Sequence, residues 1–181
     1  MNGILRPAIG ATLFFLVLLG LAYPLAATGI GQAFFNHQAN GSLTAYGSPL
    51  VGQQWKGPQW FQGRPDADNP MATGGTNLGP RSKALVTAVE QQITRLKKEG
   101  ITPTPDLVTT SGSGVDPDIS PADAYAQVAA VARARNLPAD AVRELVTAQI
   151  QQPQFGFLGA AYINVLQLNE RLAALQPGHG A

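Results

Sequence analysis

The chain has 181 residues, enough for one domain of ordinary size with an appendage, and its 45% hydrophobic content is weighted toward the N-terminus. Twelve Lys and Arg against eleven Asp and Glu leave a net charge of +1, too balanced for a nucleic-acid partner. The lack of cysteine excludes disulfides, thiolate metal sites and a cysteine nucleophile, and the two distant histidines, His37 and His179, do not make a metal cage.

Residues 1–6 form a short N-terminus ending in Arg6, and 7–30 carry no charged side chain. At 1.5 Å per residue such a stretch spans the roughly 30 Å hydrocarbon core of a bilayer, so 7–30 is read as a transmembrane helix. Pro7 suits a first turn, while Pro24 is expected to kink or end the span. A cleaved signal peptide is the competing reading. It is disfavoured because the apolar run exceeds the usual signal core and no small-x-small site follows it cleanly. No Lys or Arg follows Arg6 until Lys56, and the positive-inside rule then puts the N-terminus in the cytoplasm and the rest outside.

Residues 31–46 are polar and uncharged apart from Phe34, Phe35 and their neighbours, and read as a helical continuation or stalk into a soluble domain over 47–181. Trp55, Trp60 and Phe61 in the Gly- and Pro-rich stretch that follows argue for ordered loops. Leu85, Val89, Ile93 and Leu96 recur at helical spacing, predicting an amphipathic helix over 81–98 stopped by Gly100. Asp106 to Thr110 reads as a short strand by its β-branched content. Ser120, Pro121 and Asp123 predict a capped helix running to about Asn136. Pro138 opens another, with Val142, Leu145, Val146 and Ile150 as its stripe. Val165, Leu168, Leu172 and Leu175 predict a last helix, with a strand beginning within 162–166. The whole reads as a single N-terminal transmembrane α-helix followed by one mixed α+β extracytoplasmic domain.

Catalytic motifs fail at their chemical centres. Gly74 to Gly79 has P-loop glycine spacing, but Pro80 and Arg81 stand where the lysine and hydroxyl belong, and proline has no N–H to offer phosphate. Ser111 to Gly114 (SGSG) is read as an ordered loop. Asp116, Asp118 and Ser120 imitate the start of a calcium loop, yet Pro121 and Gln127 occupy the positions that need Gly and Glu. There is no G-x-S-x-G elbow. The residues alone favour a membrane-anchored binding or assembly subunit over an unrecognised enzyme, and a free-standing membrane-anchored enzyme or solute-binding protein stays the alternative function.

Five blocks in order, GSPLVGQ (47–53), WFQGRP (60–65), ATGGTNLGP (72–80), DLVTTSGSGVDPDISP (106–121) and NVLQLN (164–169), closely resemble the C-subunit family of the bacterial potassium-transporting Kdp ATPase. The resemblance implies an accessory, non-catalytic subunit in the inner (plasma) membrane, partnered by a channel-like A subunit, an ATP-hydrolysing B subunit and the lipid bilayer. It also implies support of assembly and coupling, and a raised ATP affinity of the B subunit. The resemblance implies no firmly held cofactor, with ATP met through a transient complex with the B subunit. Relative to the family, Trp60, Gln62 and Thr110 stand where Tyr, His and Ala are more usual, Asp118 where His is frequent, and Tyr162 where Arg is frequent. If Asp118 lies near the ion path, its charge raises the local cation concentration. Loop chemistry singles out Gly63, Arg64, Asn77, Ser111, Gly112, Gly114, Asp116 and Asn164 as loop-fixing residues, with a subunit contact the sharper alternative for Arg64 and Asn77. Arg64 is suited to clamp a carboxylate or carbonyls, Asn77 and Asp116 to tie turns, and Asn164 to cap the final helix.

Overall fold

The computed structural model describes residues 2–66 and 71–175, in two compact units divided between Leu43 and Thr44; His179 lies outside the described residues. The N-terminal unit is dominated by one apolar helix. Its first part is α1 (Asn2–Val17), continued through a π-helical turn at Leu18–Ala22 into α2 (Tyr23–Phe34). This helix is long and apolar enough to cross a membrane, and no part of its apolar stretch is buried in the protein. Pro24, expected to kink or end the span, does not end it. The turn before the proline widens, the Tyr23 N–H reaching back to the Leu18 carbonyl, and this absorbs the hydrogen bond that proline cannot make. A short helix, α3 (Asn36–Ala39), follows, its side-chain amides tied together by bonds from Asn36 Nδ2 (2.8 Å) and Asn40 Nδ2 (3.1 Å) to Gln32 Oε1.

The second unit is a helical domain with a very small sheet. Helix α4 (Lys83–Lys98) carries the expected stripe, but only Leu96 is fully buried, while Leu85, Val89 and Ile93 are half-buried. The strand expected at Asp106 to Thr110 is instead a one-turn helix, α5 (Pro105–Val108). Pro105 presets the helical φ, Asp106 suits the first turn, and Thr109 Oγ1 bonds back to the Pro105 carbonyl at 2.7 Å, so local turn chemistry overrides β propensity.

Strand β1 (Asp118–Ile119) pairs antiparallel with β2 (Ile163–Asn164), Asp118 opposite Asn164 and Ile119 opposite Ile163. This two-residue ladder is the whole sheet among the described residues, so the mixed α+β expectation holds only in a weak sense. Helix α6 (Pro121–Arg135) begins with the anticipated capping box: Ser120 Oγ accepts from Asp123 N, and Asp123 Oδ2 accepts from Ser120 N. It ends at Asn136 in the left-handed conformation. Helix α7 (Ala139–Ala148) buries Val142 and Val146 against α6, and α8 (Val165–Ala174) buries Val165, Leu168 and Leu172 in the same core, which also holds Phe61, Ile119, Val128, Val131 and Ile163. A smaller core of Leu96, Ile101, Leu107 and Ala130 joins α4 and α5 to the back of α6. Burying these side chains, at about 25 cal/mol per Å² of apolar surface, is what holds a domain so poor in sheet together.

Candidate functional site

The blocks of unusual sequence converge on one junction of loops. The segment through Phe61 and Gln62 is buried but belongs to no helix and pairs with no strand among the described residues, so its backbone groups need partners from elsewhere. Two side-chain amides supply them. Asn169 Oδ1 accepts from Phe61 N and its Nδ2 donates to the Phe61 carbonyl, both at 2.9 Å. Gln127 Oε1 accepts from Gln62 N at 2.8 Å and its Nε2 donates to the Gln62 carbonyl at 3.0 Å. The amides of α6 and α8 thus stand in for neighbouring strands. The Gln62 side chain then leaves the core to meet Glu99 and the Arg95 guanidinium of α4.

Arg64 comes next. Its guanidinium donates to Asp106 Oδ1 (3.2 Å), Thr109 Oγ1 (3.3 Å) and the Thr110 carbonyl (3.1 Å), spanning the end of α5. Its Nε is buried without a partner. Asp106 is held above the usual carboxylate range, first by its hydrogen bond with the Asp123 carboxyl and then by burial, with Arg64 pulling the other way.

Asp66 organises the SGSG loop. Its carboxylate accepts from Ser111 N (2.7 Å), Ser111 Oγ (2.7 Å) and Asp116 N (2.9 Å), while Ser111 Oγ also accepts from Gly114 N (2.9 Å). The glycine pair of GGTNLG lies against this loop: Gly74 N donates to the Ser113 carbonyl at 2.7 Å. Gly114 has φ +70°, and a Cβ there would meet the Gly74 carbonyl oxygen at 2.5 Å. The P-loop-like spacing is therefore spent on packing two loops against each other, and three residues separate it from the start of α4. Gly63 and Gly112 face no such crowding. Asn77 stands apart, exposed and left-handed at φ 54°.

The three residues that imitate a calcium loop have separate tasks. Asp116 Oδ1 accepts from Asp118 N (3.0 Å), Ser120 caps α6, and Asp118 Oδ1 accepts from Asn164 Nδ2 (2.9 Å). Asn164 also donates to the Pro49 carbonyl (2.8 Å) and caps α8 by accepting from Gln167 N (3.2 Å). Beside the junction, a cavity of about 460 Å³ is walled by Trp55, Arg64, Leu85, Val89, Arg95 and Val108. Asp66, Gln127 and Asn169 escaped the sequence reading. For the last two a signal existed, since Gln127 falls between Ala124, Val128 and Val131, and Asn169 four residues after Val165, polar side chains on apolar helix faces. Asp66 carried none.

The family model for the K+-transporting ATPase c chain (KdpC) matches residues 5–174. The chain belongs to the KdpC family. Among curated proteins it is 46% identical to the Potassium-transporting ATPase KdpC subunit of Caulobacter vibrioides, covering 96% of this chain and 94% of that one. It is 45% identical to the subunit of Rhodopseudomonas palustris, covering 95% and 97%. It is 46% identical to that of Burkholderia ambifaria, covering 99% and 100%. Membership makes the chain an accessory subunit of a potassium-transporting ATPase complex, and its one candidate membrane helix fits a single-pass membrane subunit.

Burial raises the Asp118 carboxyl above its ordinary range, Asp116 adds to the effect, and the Asn164 amide opposes it. A carboxyl with a raised folded pKa holds its proton more tightly when folded. Its contribution to stability is therefore complete below the unfolded value near 3.9 and is lost as pH climbs through the folded value. Asp118→Asn keeps an oxygen for Asn164 and carries no charge at any pH. Its melting temperature is expected to exceed the parent's at pH 7 and to converge on it near pH 3, with Asp106 leaving a residual slope of the same sign in both. Thermal melts of the detergent-solubilised chain across that range check this; a parent that stays level with the variant at pH 7 refutes it.

Proposed function

We propose that this chain is the non-catalytic subunit that supports assembly and coupling of an ATP-driven potassium pump and raises the ATP affinity of its catalytic B subunit, while a channel-like A subunit carries the ion. The observation that carries this reading is the match to KdpC subunits over nearly the whole chain. The site geometry supports an assembly role: Arg64, Asp66, Ser111, Asp116, Asn164, Gln127 and Asn169 are all committed to hydrogen bonds that fix loops. The proposed topology has the N-terminus in the cytoplasm and the domain outside the inner membrane, supported by Arg6 ahead of the span and the lack of Lys or Arg until Lys56. In that orientation the effect on ATP runs through the conformation of the complex. Direct, transient nucleotide contact is the alternative, and equilibrium binding of labelled ATP to the complex with and without the chain distinguishes the two.

The test is to purify the pump with and without this chain and to follow potassium-stimulated ATP hydrolysis as ATP is varied. Omission is expected to prevent assembly or to raise the apparent KM for ATP several-fold. Unchanged assembly together with an unchanged ATP dependence would sink the proposal.

A further inference from the structure

Between α7 and β2 the chain forms a hairpin whose tip is turned out of the domain. Its base is closed by Gln151 N to the Tyr162 carbonyl (2.8 Å) and Tyr162 N to the Gln151 carbonyl (3.1 Å), and its tip by reciprocal bonds between Gln154 and Leu158, each 2.9 Å. On this rigid frame Phe155 is 82% and Phe157 77% exposed, with Leu158 beside them. Phe155 is also left-handed, at φ 55°. Bulky residues avoid that conformation, and the exposed ring finds no burial within the domain to offset it. No charged residue occurs between Glu144 and Glu170.

We propose that the Phe155–Leu158 tip is a docking element that seats its two phenyl rings in an apolar pocket on another subunit of the pump, an inference that rests on the pump-subunit reading above. A preorganised aromatic pair with an uncharged rim of Gln151, Gln152 and Gln154 has the make-up of an interface hot spot, where charge is depleted and aromatics anchor. A lipid surface fits less well, because interfacial elements draw on Lys and Arg that this segment lacks. A second free copy also fits less well. The two rings offer about 300–500 Å² together, against about 800 Å² per partner in a stable complex. So small a contact works where something else already holds the partners together, as a membrane span shared within one complex does by raising the effective concentration.

The experiment places p-benzoylphenylalanine at Phe157 in the full chain, assembled in the purified pump in lipid nanodiscs, and irradiates it. The expected result is a covalent adduct with another pump subunit, abolished by Phe155→Ser. Phe155→Ser with Phe157→Ser in an otherwise normal chain is expected to speed its dissociation from the solubilised pump about tenfold; as both rings are exposed, the domain melts unchanged. Adducts only with lipid, adducts only with a second copy, or no adduct in a complex that retains the chain each overturn the docking proposal and leave the accessory-subunit reading standing. Failure of the unsubstituted chain to copurify with the pump overturns both.

Discussion

Asp66→Ala is expected to release the SGSG loop while leaving the helical core folded. The substitution strips the acceptor from Ser111 N, Ser111 Oγ and Asp116 N at once, three short bonds to a charged group. Hydrogen bonds to charged groups contribute about 1.5–3 kcal/mol each in favourable cases, and water entering this half-open junction recovers part of the loss. A net local cost of about 3 kcal/mol follows, equivalent to roughly a hundredfold rise in loop opening. Amide hydrogen exchange in the full chain reads it directly, because exchange reports local opening free energy. Faster exchange is expected across 111–116 and at Gly74, whose N–H is bonded to the Ser113 carbonyl, with α6 and α7 unaffected. Exchange at 111–116 matching the parent would show that the loop is held by its glycine packing alone.

The reason Asp66 went unseen in the sequence bears on what such a reading can reach. Its partners lie 45 and 50 positions further on, and no periodicity or spacing links an acid in one loop to the amides of another. The features that were legible are local. The capping box at Ser120 and Asp123, the helix end near Asn136 and the Asn164 cap each depend on residues within a single turn. The apolar helix was legible for the same reason, although it extends past 7–30 at both ends, over Arg6 on one side and into polar, uncharged sequence on the other, because helix propensity does not stop where the apolar run does. The helix at Pro105 was misread because Leu107, Val108, Thr109 and Thr110 weigh toward a strand, whereas one proline and one threonine hydroxyl decide the turn. The P-loop-like glycines were legible as a spacing, but their work at the Gly74–Gly114 contact belongs to tertiary structure.

Asn169→Leu is expected to destabilise the whole domain, since the amide it removes is the hydrogen-bond partner of both Phe61 backbone groups. Leu has the same branching and the same number of side-chain heavy atoms as Asn, though its methyl groups are bulkier than the amide oxygen and nitrogen, and it would add apolar surface to α8, so burial alone would favour the change. The outcome turns on Phe61, fully buried like Asn169 itself, whose N–H and C=O would both be left without a partner. Each buried backbone group so orphaned costs about 1–3 kcal/mol, so the pair outweighs the gain in burial and leaves a net loss of roughly 3 kcal/mol. For a domain of this size that lowers the melting temperature by about 10 °C. Trp60 adjoins Phe61 in sequence and packs against Trp55 with ring centroids 5.0 Å apart and the planes tilted by 47°, so tryptophan fluorescence during thermal or urea unfolding reports the change where it begins. The Gln127 clamp on Gln62 should persist, which makes the loss graded. A variant as stable as the parent would mean that the Phe61 backbone groups reach water or another donor, and that the two amides of α6 and α8 do not act as substitute strands.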